Sequence, residues 1–196
     1  PATILSADLR NPQEVEKLIA ETFDINHQLD IVVNNAAIQN VENLSEIDSD
    51  SWDAVLETNL RSVHLVMRAA LPALEKSKNA SVVNIVSIEG HQPARGHSHY
   101  STSKAALLML TKSAALEYAN LGIRVNSVSP GLIDDGNLKE RWPEGLDRWL
   151  NSAPLGRVGD PKDIADAVVF LSSPMASWVT GSDLVVDGGI STNATW

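Results

Sequence analysis

Tyr100 and Lys104 stand four residues apart in Tyr100-Ser101-Thr102-Ser103-Lys104, where a strongly helical stretch begins. On a helix this spacing sets a phenol and an ammonium side by side on one face. A phenol with its ordinary pKa of roughly 10 is almost fully protonated at neutral pH and makes a poor base. A neighbouring cation favours the phenolate and moves the group toward useful proton transfer. The pair is a candidate acid/base for chemistry at a carbonyl or an alcohol.

Three apolar runs end near residues suited to that chemistry. Ser81-Val82-Val83-Asn84-Ile85-Val86-Ser87 reads as a buried parallel strand closing on a serine. Ile31-Val32-Val33 ends at Asn34-Asn35-Ala36-Ala37, where small residues let a flat ligand approach the backbone. A run from Ile123 to Val128 ends at Ser129-Pro130-Gly131-Leu132-Ile133. Open α/β sheets bind ligands beyond the carboxyl ends of their strands, so Ser87 is expected to face a cleft.

These pieces together resemble the short-chain dehydrogenase/reductase superfamily, NAD(P)-dependent enzymes built on one Rossmann-type domain. The matching segments are Asn34-Asn35-Ala36-Ala37, Thr58-Asn59-Leu60, Ser87, Tyr100 with Lys104, Pro130-Gly131, Val179-Thr180-Gly181 and Val185-Val186-Asp187-Gly188-Gly189. They occur in the family's order and span nearly the whole chain. The resemblance implies a catalytic set of Asn59, Ser87, Tyr100 and Lys104. Tyr100 exchanges a proton with the substrate oxygen, and Ser87 hydrogen-bonds that oxygen. Lys104 lowers the Tyr100 pKa and holds the nicotinamide ribose, while Asn59 holds a water linking Lys104 to solvent. NAD or NADP is the implied cofactor, without a preference. Asp8, with Leu9 beside it, contacts the adenine end. Asn34 and Ala36 line the dinucleotide with Tyr100 and Lys104, and the Pro130, Gly131 and Ile133 backbone meets the carboxamide. Ala37 stands where the family usually has Gly, and Asp135 where many relatives have Thr.

The same resemblance sets the expected fold: a doubly wound parallel sheet with helices on both faces, one domain over residues 1–196, with strands 1 and 2 absent. No Gly-rich turn precedes Asn34. The opening Pro1–Leu9 resembles the family's third strand, so this sequence reads as part of a longer chain. Without partners, the strand at Thr3–Ser6 is expected to be detached, and Ile31–Asn34 to form an exposed apolar edge. Residues 134–152 are expected to form a substrate lid, with Trp142 or Trp149 as an apolar wall.

Local signals agree with alternating helices and strands. Asn11-Pro12-Gln13-Glu14 starts a helix to about Asn26, with Glu14 reaching back to the cap. A helix over about 49–76 breaks or bends near Asn59, another covers about 100–119, and Asp160-Pro161-Lys162-Asp163 opens one through Leu171. The last strand covers Leu184–Val186.

With 15 Lys and Arg against 25 Asp and Glu, the chain has net charge −10, which disfavours nucleic acid and anionic membranes as partners. It has no cysteine, hence no disulfide or thiolate metal site, as suits a reducing cytoplasm. His91, His97 and His99 lie in the loop before Tyr100 without a carboxylate pattern for metal, so no metal is expected. Small-residue apolar stretches at Ala105–Leu110 and Ala114–Leu116 suit helix pairing in a homo-oligomer, a dimer or tetramer.

The leading expectation is an oxidoreductase acting on a small-molecule carbonyl or alcohol. Two alternatives stand beside it. One is a lyase resembling the halohydrin dehalogenases, which work without nicotinamide but carry Arg where Lys104 stands. The other is a non-catalytic interaction fragment pairing through its open sheet edge.

Overall fold

The computed structural model describes residues 2–134 and 136–192; Asp135, singled out above, lies outside them. Among the described residues, four strands form one sheet in the order β1-β2-β3-β4: β1 (Ile31–Asn34), β2 (Ser81–Ile85), β3 (Arg124–Pro130) and β4 (Asp183–Val186). Every pairing is parallel. The connections are helical: α1 (Pro12–Asn26) precedes β1, α2 (Ser49–Leu56) and α3 (Ser62–Leu74) precede β2, and α4 (Ser98–Tyr118) precedes β3. Short helices α5 (Leu138–Arg141) and α6 (Pro143–Ser152), then α7 (Pro161–Ser172), lead to β4. This is a Rossmann-type α/β sheet.

Register explains which residues share a face. Val32, Val82 and Val125 lie opposite one another and pack with α1, α3 and α4 residues, including Val15, Val66 and Leu107. Val83 and Val128 serve the other face, against Ala167 and Leu171 of α7. One step nearer the carboxyl edge on the first face the row turns polar: Asn34, Asn84, Ser127 and Asp183 are successive partners across all four strands. Their side chains satisfy one another, as burial requires. Asn34 donates to Asn84 at 2.8 Å, Asn84 to Thr111 of α4 at 2.9 Å, and Ser127 to Asp183 at 2.6 Å.

Residues 2–7 carry no strand and are largely exposed, so the segment that resembles a third strand stands detached, as expected. β1 is an outer strand with Ile31 and Val33 still 45% and 43% exposed, the apolar edge foreseen from the sequence. At α1, Asn11 caps the Gln13 and Glu14 amides. Glu14 reaches back to the cap as expected, but through the side chain: its Oε1 accepts Asn11 Nδ2 at 3.2 Å and its Oε2 the Asp8 amide at 2.8 Å, while the Asn11 backbone N–H bonds the Asp8 carbonyl. The α7 start does form the reciprocal box, between Asp160 and Asp163.

The interruption expected near Asn59 is a π-helical turn, Glu57–Arg61, joining α2 to α3. A π turn bulges one residue out of regular register, and here it turns Asn59 inward to 1% exposure. Among the described residues, no helix is long and apolar enough to cross a membrane.

Candidate active site at the carboxyl edge of the sheet

Ser87 follows β2 by two residues, in extended backbone, and caps a 3-10 turn over Ile88–Gly90. Its hydroxyl accepts the Glu89 amide at 3.1 Å and lies near enough to the Tyr100 phenol to favour the phenolate. Tyr100 sits in the first turn of α4. Lys104, one turn on, is 2% exposed and lies 5.6 Å from the Tyr100 ring centroid. Its ammonium donates to the Ile85 carbonyl at 2.8 Å, at the very end of β2. The end of β2 and the start of α4 are thus joined through Lys104, beside the Tyr100 ring.

The electrostatics differ from the family-based expectation. Burial raises the Tyr100 pKa; the Ser87 hydrogen bond opposes this, and the negative charge of Glu89 adds to it. The net direction is up, so the expected lowering by Lys104 does not dominate in this arrangement. The reason is desolvation: a buried phenolate loses more hydration than these neighbours restore. Desolvation also lowers Lys104, to about 8. At neutral pH Tyr100 carries its proton, and Lys104 remains largely cationic.

Asn59 reaches the same region from the π turn. Its Oδ1 accepts the Ile38 amide at 2.8 Å, and its Nδ2 donates to the Ile38 carbonyl at 2.9 Å and the Ser103 hydroxyl at 3.1 Å. Ser103 in turn donates to the Tyr100 carbonyl at 2.7 Å. The Asn59 amide therefore pins the loop after β1 to the Tyr100 helix, and both its donors are committed to protein partners.

Of the residues expected at the cofactor, Asn34 lies at the end of β1, fixed by Asn84, and Ala36 and Ala37 follow it exposed. Gly131 binds the Val186 carbonyl through its amide at 3.0 Å. A Cβ there would come within 2.9 Å of the Asp187 backbone and the Trp149 ring, so this turn requires glycine. Ile133 forms a parallel bridge with Gly159, which bonds the Leu132 carbonyl and the Asp134 amide. That pattern directs the N–H and C=O of Ile133 itself away from Gly159.

Asp8 is in a different setting: its carboxylate forks onto Arg10 at 2.8 and 3.0 Å, which holds its pKa down at about 2. Leu9 packs against the main core. In the expected lid, α5 and α6 are ordered helices. Trp142 covers Gly145, where a methyl group would overlap its ring, while Trp149 reaches Gly131. Between the two tryptophans, Trp149 is the one beside the Pro130–Gly131 turn.

The histidines divide. His97 bonds Glu89 at 3.0 Å, His91 bonds Asp183 at 2.8 Å, and buried His99 accepts the Tyr100 amide at 3.0 Å. Among the described residues, no group of three or more His, Cys, Asp or Glu is placed to hold a metal ion. Ala114 and Ala115, expected on a pairing face, are buried within the subunit, whereas Met109 and Leu116 on the same helix are exposed.

Sequence reasoning passed over Glu89 and Gln39, which meet beside Tyr100, and Asn84. Asn84 carried a signal: an asparagine inside a β-branched strand is unfavourable unless partnered. Glu89 carried only its place two residues after Ser87.

Comparison with known proteins agrees with this architecture. A family profile described as enoyl-(acyl carrier protein) reductase matches residues 1–191. The 3-oxoacyl-[acyl-carrier-protein] reductase FabG of Vibrio cholerae is 35% identical over 95% of this chain and 76% of its own length. An uncharacterized oxidoreductase of Schizosaccharomyces pombe is 37% identical over 96% of this chain and 74% of its own. Among solved structures, Thermoplasma acidophilum aldohexose dehydrogenase superimposes with TM-score 0.91 and 32% identity, over 98% of this chain and 79% of that one. An NADPH-bound short-chain oxidoreductase of Pseudomonas aeruginosa gives TM-score 0.88 and 31% identity, over 96% and 76%. The chain belongs to the short-chain dehydrogenase/reductase superfamily of oxidoreductases.

Proposed function

We propose that this protein interconverts a carbonyl and a secondary alcohol by nicotinamide-dependent hydride transfer, with Tyr100 as the acid/base. The observation that carries the reading is the Lys104 ammonium 5.6 Å from the Tyr100 ring centroid, with the Ser87 hydroxyl near enough to that phenol to favour its ionised form. A bound nicotinamide dinucleotide supplies or accepts the hydride.

The residues present suit such a group. Lys104 gives one of its three N–H donors to Ile85, leaving donors for ribose hydroxyls. Ile133 offers a main-chain donor and acceptor, the complement of a carboxamide. Asn34 and Ala36 line the end of β1, Pro130 and Gly131 form the turn after β3, and Asp8 and Leu9 are assigned to the adenine end. The NADPH-bound neighbour supports a dinucleotide of this kind without fixing NAD or NADP here.

Negative charge grows on the substrate oxygen as its carbon is reduced. Ser87 stabilises that charge as a fixed donor, and Tyr100, protonated at neutral pH, delivers the proton. Lys104 keeps a positive charge beside the phenolate that remains, which offsets part of its desolvation. Asn59 positions the Tyr100 turn through Ser103. α6, with Trp149 at Gly131, supplies an apolar wall over the carboxyl edge. We also assign a homo-oligomer, dimer or tetramer, through the exposed face of α4 around Met109 and Leu116 and the π-turn residues Leu60 and Arg61; its support is the apolar exposure, 82% at Leu116.

The test is dinucleotide absorbance with a panel of ketones, aldehydes and alcohols, comparing wild type with Tyr100→Phe. Turnover in wild type and its loss in the variant is the expected result; unchanged turnover in Tyr100→Phe sinks the proposal.

A further inference from the structure

The Glu89 carboxylate collects three donor side chains from two separate segments, the start of α4 and the loop after β1. It takes His97 at 3.0 and 3.1 Å from the cap of α4, and Ser101 at 3.1 Å from the residue after Tyr100. It takes Gln39 at 3.3 Å from the loop after β1, whose neighbour Ile38 is the one pinned by Asn59. Glu89 itself stands two residues after Ser87 and holds that hydroxyl through its own amide. The carboxylate is only 17% exposed, so its bonds form where water competes weakly.

We infer that Glu89 is a positioning residue that clamps the Ser87 turn, the first turn of the Tyr100 helix and the post-β1 loop into one unit, with its carboxylate held against that helix turn. The inference rests on the Tyr100 reading for its catalytic meaning, but the clamp and its charge are properties of the chain itself.

The charged and titratable groups around Tyr100 are few. Lys104 comes from α4 itself, and His97, 6.3 Å away between ring centroids, from its cap. His99 is buried beside it with Nε2 4.0 Å from Glu42 of the loop after β1. His91 and Asp183 pair with each other beyond the Glu89 turn. Glu89 is the anion whose charge reaches the phenol and pushes it up. Removing that charge while keeping the side chain's shape should release the phenolate at lower pH.

The chain has two tyrosines, Tyr100 and Tyr118. In a Tyr118→Phe background, phenolate absorbance therefore reports Tyr100 alone, with no need for turnover. Glu89→Gln should lower the Tyr100 titration midpoint by roughly 0.5–1 pH unit. Glu89→Asp, which keeps the charge with a shorter reach, should leave the midpoint near that of Glu89. Where wild type turns over, Glu89→Gln should also reduce kcat more than it changes KM, with the pH profile shifted the same way. Circular dichroism checks folding, and Glu89→Ser replaces Glu89→Gln if the latter does not fold. A folded neutral variant with an unmoved or raised midpoint overturns the inference. A lowered midpoint in a protein with no redox turnover leaves the inference standing and overturns the catalytic reading instead.

Discussion

The Asn34 side chain donates to that of Asn84 at 2.8 Å, exactly one strand apart in register, and Asn84 passes a bond on to Thr111 of the Tyr100 helix. The end of the outer strand is therefore fixed to the helix that carries the proposed acid through a buried polar chain, with Asn84 wholly enclosed.

Replacing Asn84 by Ala should destabilise the protein by about 2–3 kcal/mol, because the Asn34 amide and the Thr111 hydroxyl both lose a buried partner. Urea unfolding monitored by tryptophan fluorescence measures this. A change within about 0.5 kcal/mol, the range of ordinary surface substitutions, contradicts the structural role.

Tyr100→Phe should lower kcat by roughly 10²–10⁴-fold, the range attributed to a positioned acid, with dinucleotide binding retained. Wild-type alcohol oxidation should speed up as pH rises above neutrality, since the reverse direction needs a deprotonated Tyr100 and the phenol is shifted upward. A flat oxidation profile between pH 7 and 10 argues against Tyr100 as the base.

Lys104 supplies a linkage test. Its folded-state pKa, about 8, lies below the unfolded value of 10.5, so between these limits the unfolded chain binds more protons than the folded one. Stability therefore rises with pH across 8 to 10.5, as the cost of burying the ammonium is relieved. Over the full window the gain is on the order of 3 kcal/mol. In Lys104→Met this rise should disappear, and the difference between the two unfolding curves across pH reads it directly. Parallel curves contradict the buried cation.

Gly131→Ala should cost about 1–3 kcal/mol through overpacking, since the new methyl meets the Asp187 backbone as well as the movable Trp149 ring. Thermal unfolding should show the loss, and tryptophan fluorescence should report displacement of Trp149. An unshifted Tm with unchanged fluorescence means the turn has room that its geometry denies.

Much of this was legible before any fold was known. The caps at Asn11 and Asp160 and the β-branched strands obey local rules, because hydrogen-bonding and packing preferences act over a few residues. The four-residue spacing of Tyr100 and Lys104 is likewise fixed by helix geometry alone. The detached segment at residues 2–7 and the open edge of β1 followed from topology. Glu14 meets the cap through the Asn11 side chain rather than its backbone amide, which has an acceptor in Asp8, a competition no motif displays.

The sequence alone determined the order of the elements and the residue types at their ends, since periodicity and turn chemistry are local. Only tertiary structure decided that Glu89 gathers Gln39, His97 and Ser101, that Asn59 grips Ile38, and that burial outweighs the influence of Ser87 at the Tyr100 phenol. Those outcomes depend on distances and solvation between segments up to 50 residues apart, and side-chain partners and desolvation exist only once the sheet has brought such segments together.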